Sequence, residues 1–181
     1  MAAPVYYTVE MVRALPDDGH RHELVYGELL LTPAPRPWHE IVVARLTFAL
    51  TDYTRRYPVG FVFGVAADIT WGRADVLVQP DVFVAPLDEV RTLDWDRIRG
   101  LLLVAEVLSP ASLKADRFTK RRRYQEAGVP RYWVVDADER RVEVWTPEDD
   151  FPMLERERLA WHPTGAETAF ALELSELFRA V

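Results

Sequence analysis

Two acidic side chains interrupt stretches of this chain that otherwise have the pattern of buried strands. Asp81 follows Pro80 within the predicted strand 74–85, and Glu106 lies inside the apolar run 101–108. An unpaired carboxylate in a protein core is costly, or its pKa rises until the group is neutral. A divalent cation would account for both buried acids at once, because hard metal ions prefer carboxylate oxygens. The pair predicts a metal-dependent hydrolytic site.

A lysine is predicted to join these acids from the helix that follows Glu106. This helix is expected over residues 109–127, since Gly128 and then Pro130 end it. At about 100° per residue, one stripe of the helix carries four residues: Leu113, Lys120, Tyr124 and Ala127. If that stripe packs on the sheet, Lys120 points at the carboxylates.

Phosphodiester hydrolysis is the chemistry that suits this set. Asp81 and Glu106 would hold one or two Mg²⁺ ions, with Mn²⁺ as the alternative metal. Lys120 would position the attacking water or stabilise charge in the transition state. The basic residues of the same helix, which include the Lys-Arg-Arg-Arg run at 120–123, would contact phosphates.

Each of these residues also has a structural interpretation, and the residue pattern leaves it open. Asp81 could begin a strand or cap a turn, and Glu106 could form a buried ion pair with an arginine. Lys120 could extend its charged end to solvent, and the run 120–123 could be a solvated helix face.

Three further candidates carry less weight. Glu23 lies on a predicted strand near the N-terminus, where an acid is more often a surface residue. His39 opens a long helix, where a capping or exposed role is at least as common. Asp75 is an alternative ligand to Asp81, but the turn at Trp71-Gly72 favours an ordinary turn residue. The remaining histidines have no metal-ligand spacing, which disfavours a zinc site; they are His20, His22 and His162.

Composition excludes several classes of protein. The 181 residues predict one domain over 1–181, and the hydrophobic fraction of 49% predicts a folded core. No cysteine is present, so disulfides and thiolate chemistry are excluded.

No apolar run approaches the length of a membrane span, and residues 1–7 lack the pattern of a signal peptide. We therefore expect a cytoplasmic protein without membrane contact. The net charge of −7 argues against non-specific binding of nucleic acid by the whole surface.

The predicted elements give an α/β domain with a central sheet and helices on its faces. The first half is expected to contain a helix over 8–15, two strands over 22–31 around Gly27, a helix over 38–57 and a β-rich segment over 60–70. The second half is expected to contain strands over 74–85 and 100–108, the helix over 109–127, a hairpin of strands over 131–136 and 141–146, a strand near 154–159 and a helix from about Ser175. Residues 88–99 are expected to form a loop or helical turn.

Several segments resemble the Uma2 family of restriction-endonuclease-like proteins, over roughly residues 8–145. They are His-Glu-Leu-Val-Tyr-Gly-Glu-Leu at 22–29, Gln-Pro-Asp-Val at 79–82, Glu-Val-Leu-Ser-Pro-Ala-Ser at 106–112, the spacing Asp116-x-x-x-Lys120-x-x-x-Tyr124, and Ala-Gly-Val-Pro-Arg-Tyr-Trp-Val-Val-Asp at 127–136.

The resemblance implies a restriction-endonuclease-like fold of the PD-(D/E)XK class. Its central mixed sheet would have four strands flanked by helices, with additional strands near both termini. By that resemblance Asp81 and Glu106 are the metal ligands, and Glu23 corresponds to an additional N-terminal acid. The lysine that the motif places two residues after the second acid is replaced by Leu108. In relatives whose lysine has moved to the next helix, the matching position here is Lys120.

The sequence thus predicts a Mg²⁺-dependent endonuclease that cuts DNA, with Asp81, Glu106, Lys120 and Glu23 as catalytic residues. A nuclease-like module that binds DNA or a protein without cutting is the alternative, and a hydrolase of RNA or another phosphodiester is a third interpretation. A homodimer is left open, because two DNA strands are often cut by paired sites.

Overall fold

The computed structural model describes residues 5–64 and 67–181 and builds a six-stranded mixed sheet. In chain order its strands are β3 (Phe61–Phe63), β4 (Val82–Ala85), β5 (Leu103–Val107), β6 (Tyr132–Asp136), β7 (Arg141–Trp145) and β8 (Met153–Glu155). The spatial order follows the chain order, with β5 and β6 parallel and the other neighbours antiparallel.

Two antiparallel hairpins lie outside this sheet. The N-terminal one consists of β1 (Arg21–Val25) and β2 (Glu28–Thr32), and the C-terminal one of β9 (Arg158–Trp161) and β10 (Phe170–Glu173). Tyr26 and Gly27 have φ of 55° and 76°, so they make the tight turn that joins β1 to β2. The predicted α/β class, with a central mixed sheet and extra strands near both termini, is confirmed. The expected count of four central strands is wrong, because the short edge strands β3 and β8 extend the sheet to six.

Helices cover both faces of the sheet. The α-helices of the described residues are α1 (Val9–Arg13), which packs on the N-terminal hairpin, α2 (Pro37–Arg56), α3 (Leu87–Val90), α4 (Arg121–Glu126) and α5 (Leu174–Leu177), with a 3₁₀ turn at Trp95–Arg97. On one face, Leu46 and Leu50 of α2 pack in a core with Trp133 of β6. On the other face, Tyr124 of α4 packs in a second core with Tyr132. None of the helices in the described ranges combines the length and apolarity that a membrane crossing needs.

The segment between β5 and α4 departs from the predicted single helix over 109–127. A hydrogen-bonded turn at Ser109 and Ser112 comes first, and a π-helical segment, Ala115–Lys120, then leads directly into α4. Because a π-helical turn takes up an extra residue, the predicted stripe is not continuous through it. Leu113 is accordingly 40% exposed, although Lys120 and Tyr124 are buried as expected.

Several predicted strands are longer than the strands that the structure shows. The segment 60–70 contains strand only at Phe61–Phe63, and Val65 and Ala66 lie outside the described residues. The segment 74–85 contains isolated bridges at Leu77 and Val78 before β4 begins. The single strand near 154–159 is wrong, because that region divides into β8 and β9. Of the N-terminal segment 1–7, residues 1–4 lie outside the described ranges.

Candidate active site

The antiparallel pairing of β4 with β5 brings the two strand acids together. Val82 pairs with Ala105, so continuing the register by one residue places Asp81 beside Glu106. Both side chains are buried, with exposed fractions of 6% and 1%. The backbone N–H of Val107 donates a hydrogen bond of 2.8 Å to Asp81 Oδ2 and thereby ties the acid of one strand to the other strand.

Asp81 is neutralised by two basic side chains from other elements. Arg21 of β1 donates from Nη1 to Asp81 Oδ1 at 2.7 Å, and His39 of α2 lies with Nε2 3.2 Å from Oδ2. Burial alone would raise the pKa of Asp81, but the His39 hydrogen bond and the Arg21 charge together lower it to about 2. Asp81 is therefore a carboxylate at neutral pH, and the same contact raises the pKa of His39 in spite of its burial.

Glu106 has different surroundings. Lys120 Nζ lies 2.7 Å from Glu106 Oε1, and the Tyr124 hydroxyl donates to the same oxygen at 2.7 Å. Burial raises the pKa of Glu106 well above its usual value, Lys120 offsets only part of this rise, and the charges of Asp116 and Asp81 add to it. Of the two central acids, Glu106 is the one that has the greater need of further positive charge.

Lys120 lies at the centre of three carboxylates. Besides Glu106, its Nζ contacts Glu23 Oε1 at 3.0 Å and Asp116 Oδ1 at 3.2 Å, and only 2% of its side chain is exposed. Burial would lower the pKa of Lys120, but the three carboxylates raise it well above its usual value. Lys120 thus points inward as predicted, and the alternative in which it reaches solvent is wrong.

Glu23 is a buried member of the cluster and not a surface acid. It projects from β1 with 2% exposure, and the backbone N–H of Gln79 donates to its Oε1 at 2.7 Å. Gln79 precedes the Pro80-Asp81 pair, so this bond links the hairpin to the start of β4. The structure therefore brings together all four predicted catalytic residues: Glu23, Asp81, Glu106 and Lys120.

Three residues of the cluster were missed or misjudged from the sequence. Asp116 was not selected, although its position one helical turn before Lys120 was a usable signal; it is 2% exposed. For His39 the residue pattern favours a capping or exposed role at least as much as a role in the site, but Arg36 is the N-cap of α2 and His39 is 8% exposed and contacts Asp81. Arg21 was also missed, although strand alternation places it on the same side of β1 as Glu23.

Asp116 has a buried carboxylate oxygen without a hydrogen bond in the part of the chain that the structure describes. Its Oδ1 is buried and accepts no hydrogen bond from the described residues, although Lys120 Nζ lies within ion-pair distance. Burial raises the pKa of Asp116, and the Lys120 charge opposes this rise. A buried oxygen without a hydrogen bond is a place where a cation or a water molecule is favoured.

These side chains line a cavity of about 370 Å³. Residues 32–35 form part of its wall, and Ser109 and Ser112 of the turn after β5 form another part. A larger cavity, of about 640 Å³, lies between α2 and the C-terminal segment and is lined by Arg45, Phe48 and Tyr53 among others. The smaller cavity is the candidate site, because it contains the buried carboxylates and the lysine.

The donor atoms of this cavity suit a hard divalent cation, but their present arrangement does not yet form a complete site. All four acids of the cluster offer oxygen ligands, and Asp116 Oδ1 accepts no hydrogen bond from the described residues although Lys120 lies at ion-pair distance. Both oxygens of Asp81 are already bonded, by Arg21, His39 and the Val107 N–H. Accordingly, no three acidic or histidine side chains within residues 5–64 and 67–181 are arranged to hold a metal. Metal binding would require Arg21 or Lys120 to move.

The basic run 120–123 is largely occupied by contacts within the protein. Arg121 stacks on Trp145 with its guanidinium 4.4 Å from the ring centroid, and Arg123 lies 4.9 Å from that of Trp71. Arg122 bonds Glu126 at 3.1 Å. The run 120–123 is therefore neither a cluster of unengaged basic residues that could bind phosphate nor a helix face that contacts only solvent.

Two other sequence interpretations are settled by the contacts. Glu106 is paired with Lys120 and not with an arginine, whereas Asp81 is the acid that an arginine neutralises. Asp75 pairs with Arg73 at 2.9 Å and is not among the residues that line the cavity, as expected for a turn residue.

Comparisons with known proteins agree with this architecture. The family model for Uma2, described as "Putative restriction endonuclease", matches residues 9–175. A crystal structure of "a putative nuclease belonging to DUF820" from Anabaena variabilis ATCC 29413 superposes with a TM-score of 0.77 at 20% sequence identity, covering 94% of this chain and 97% of the other. At that identity the superposition shows a shared fold. No protein of curated function matches the sequence.

Proposed function

This chain belongs to the Uma2 family of restriction-endonuclease-like proteins, and we propose that it is a divalent-metal-dependent endonuclease that hydrolyses DNA phosphodiester bonds. The observation that carries the proposal is the buried cluster at the wall of a cavity, in which three carboxylates surround Lys120 and a fourth, that of Asp81, lies beside Glu106. Burying so many charged groups is costly for the stability of a fold. Groups with strongly shifted pKa values are concentrated at functional sites.

In the proposed mechanism Asp81 and Glu106 would hold Mg²⁺ or Mn²⁺, which would polarise the phosphate and make a bound water more acidic. Lys120, held by Glu23 and Asp116, keeps its proton at Nζ and directs that positive charge at the attacking water or at the developing negative charge. Tyr124 fixes the orientation of Glu106 through its 2.7 Å hydrogen bond.

A second candidate is a nuclease-like module that binds DNA or a protein without cutting. Two observations favour it: Leu108 stands where the motif lysine is usual, and both oxygens of Asp81 are saturated by protein groups. The first candidate accounts better for the four buried carboxylates at the wall of one cavity, since such oxygen ligands suit a divalent cation and oppose the binding of a polyanion. Homodimer formation and a cytoplasmic location stay predictions.

The test is cleavage of supercoiled plasmid DNA in Mg²⁺ or Mn²⁺ by wild type and by two isosteric variants, Asp81→Asn and Glu106→Gln. We expect wild type to nick or linearise the plasmid, and each variant to lose activity by about a hundredfold or more, because a metal ligand is removed. The control is Asp75→Asn, which changes a carboxylate outside the cavity and should leave the rate unchanged. RNA and small phosphodiesters assayed in parallel identify the substrate class.

Wild type that binds duplex DNA but cuts no substrate in either metal would support the second candidate. Full activity in Glu106→Gln would contradict the assignment of the site itself.

A further inference from the structure

Arg21 lines the cavity and holds one carboxylate oxygen of Asp81. Its Nη1 contacts Asp81 Oδ1 at 2.7 Å and the Gln79 carbonyl at 3.2 Å. The Asp81 side chain is only 4% exposed, whereas that of Arg21 is 25% exposed. Arg21 is therefore the more exposed partner of the pair, and it lines the same cavity as Asp81.

The other oxygen of Asp81 is held independently. The Val107 N–H and His39 both contact Oδ2, so Asp81 would keep its orientation if Arg21 moved away. A guanidinium at hydrogen-bond distance competes with a metal ion for the same oxygen, and its positive charge also repels the metal. Because Arg21 already reaches solvent, it can withdraw without crossing the core.

An arginine displaced in this way stays at the wall of the same cavity, on β1 beside Glu23. Phosphate is a natural partner for it, since the planar guanidinium donates two parallel hydrogen bonds to phosphate oxygens. Two other arginines near the cluster are already engaged within the protein, since Arg117 is bonded to Glu143 and Asp136 and Arg123 is buried against Trp71.

We infer that Arg21 exchanges partners at the active site: its guanidinium neutralises Asp81 in the metal-free protein and binds a nucleic-acid phosphate once a divalent cation has taken its position. The inference rests on the proposed function and adds a substrate-binding residue that also sets the metal affinity.

If Arg21 exchanges partners in this way, the variant Arg21→Gln should bind the metal more tightly and DNA more weakly than wild type. Calorimetric titration with Mn²⁺ should show about tenfold tighter metal binding than in wild type, because the competing charge is gone. At saturating Mn²⁺, fluorescence anisotropy with a labelled phosphorothioate duplex, which resists cleavage, should show about tenfold weaker binding of DNA. A purely structural role for Arg21 would not move the two affinities in opposite directions.

Arg158→Gln is the matched control, because Arg158 forms an exposed pair with Glu173 on the C-terminal hairpin; both affinities should match wild type. Arg21→Lys keeps the charge but loses the forked geometry, so its metal affinity should lie between those of wild type and Arg21→Gln. It also serves as the test if Arg21→Gln does not fold.

Unchanged or weaker Mn²⁺ binding in both Arg21 variants, with normal binding by wild type, would overturn the exchange and leave the proposed nuclease standing. Tighter metal binding with undiminished DNA affinity would also overturn it. If neither wild type nor the variants bind Mn²⁺, the exchange and the proposed metal dependence fail together. If Mn²⁺ binding tightens and DNA binding weakens in Arg21→Gln but wild type cuts nothing, the exchange is supported and only the catalytic proposal fails.

Discussion

Lys120 is the residue on which the charge balance of the core depends. It is 2% exposed and contacts three carboxylates, those of Glu23, Glu106 and Asp116. Removing one partner of a buried ionic cluster leaves uncompensated charge in a poorly solvated place, and this costs more than the net value of the intact cluster. The lysine is thus required for the folded state as well as for the proposed chemistry.

Lys120→Met should lower the free energy of unfolding by about 3–5 kcal/mol, because three buried carboxylates lose their common counter-charge. Urea unfolding monitored by tryptophan fluorescence measures this directly. The control is Lys114→Met, which removes an exposed lysine from the same segment and should change stability by no more than about 0.5 kcal/mol. A Lys120 variant as stable as this control would show that the carboxylates do not depend on the lysine.

The sequence was sufficient to select the strand acids and Lys120, and the reason is physical. A charged residue inside an apolar pattern is costly, so it stands out without any knowledge of the fold. His39 and Arg21 could not be found in this way, because each lies at the end of an element where polar residues are common. Their roles depend on how α2 and β1 dock against β4, and a one-dimensional pattern does not contain that information.

At the scale of elements, the register of β4 against β5 and the π-helical segment together form the site. The strand register places Asp81 next to Glu106, and the π-helical segment places Asp116 and Lys120 on the same inward side. π-helical turns are uncommon and occur frequently at functional sites. Sequence periodicity predicted an ordinary helix here, since a single inserted residue leaves little trace in the pattern of apolar residues.

The bounds of the edge strands were harder to predict than their presence. Strand β3 has only three residues, and its Phe61 is 49% exposed, so the burial that produces a clear alternation is missing. Strand β8 is equally short, with Met153 58% exposed. The long helix α2 and the hairpin of β6 and β7 were predicted within a few residues, because both have a strongly buried face.

The turn of the N-terminal hairpin is linked to α4 by one hydrogen bond that should make stability depend on pH. The Tyr26 hydroxyl donates to Glu126 at 2.7 Å. Burial and this contact raise the pKa of Tyr26 to about 12, so it remains a donor at neutral pH. The same hydrogen bond is the main cause of the lowered pKa of Glu126.

A carboxyl group whose pKa is lower in the folded state stabilises the fold above its unfolded pKa, about 4.5, and loses that contribution as the pH falls. Wild type should therefore be more stable than Tyr26→Phe at pH 7, and the difference should shrink below about pH 4.5. Chemical denaturation from pH 3 to pH 7 measures it, with Tyr57→Phe, at the far end of α2, as control. A difference that is constant or grows towards low pH would contradict the assigned bond.

At the scale of the whole molecule, the distribution of charge governs how strongly the protein would bind DNA. The net charge of −7 opposes binding of a polyanion, and the arginines of α4 are tied to aromatic rings and acids. Metal-free protein should therefore bind DNA weakly, and the carboxylates of the cavity should be part of the cause.

The double variant Asp81→Asn/Glu106→Gln should bind duplex DNA more tightly than wild type without metal, even though it cannot cut. The substitutions remove acidic groups from the cavity in which the proposed mechanism places the phosphate. Fluorescence anisotropy in EDTA at low salt measures the affinity. The control Asp75→Asn/Glu173→Gln changes the net charge equally but outside the cavity, and it should have a smaller effect. Equal effects of the two double variants would show that DNA does not approach through this cavity.

The most direct test of the central claim, that the acids of this cavity hold the catalytic metal, is an anomalous-scattering crystal structure with Mn²⁺. We predict a peak in contact with carboxylate oxygens of both Asp81 and Glu106, at roughly 2.1–2.3 Å, with Arg21 moved away from Asp81. A well-ordered map with no peak at these two acids, or with the metal bound only elsewhere, would contradict the account.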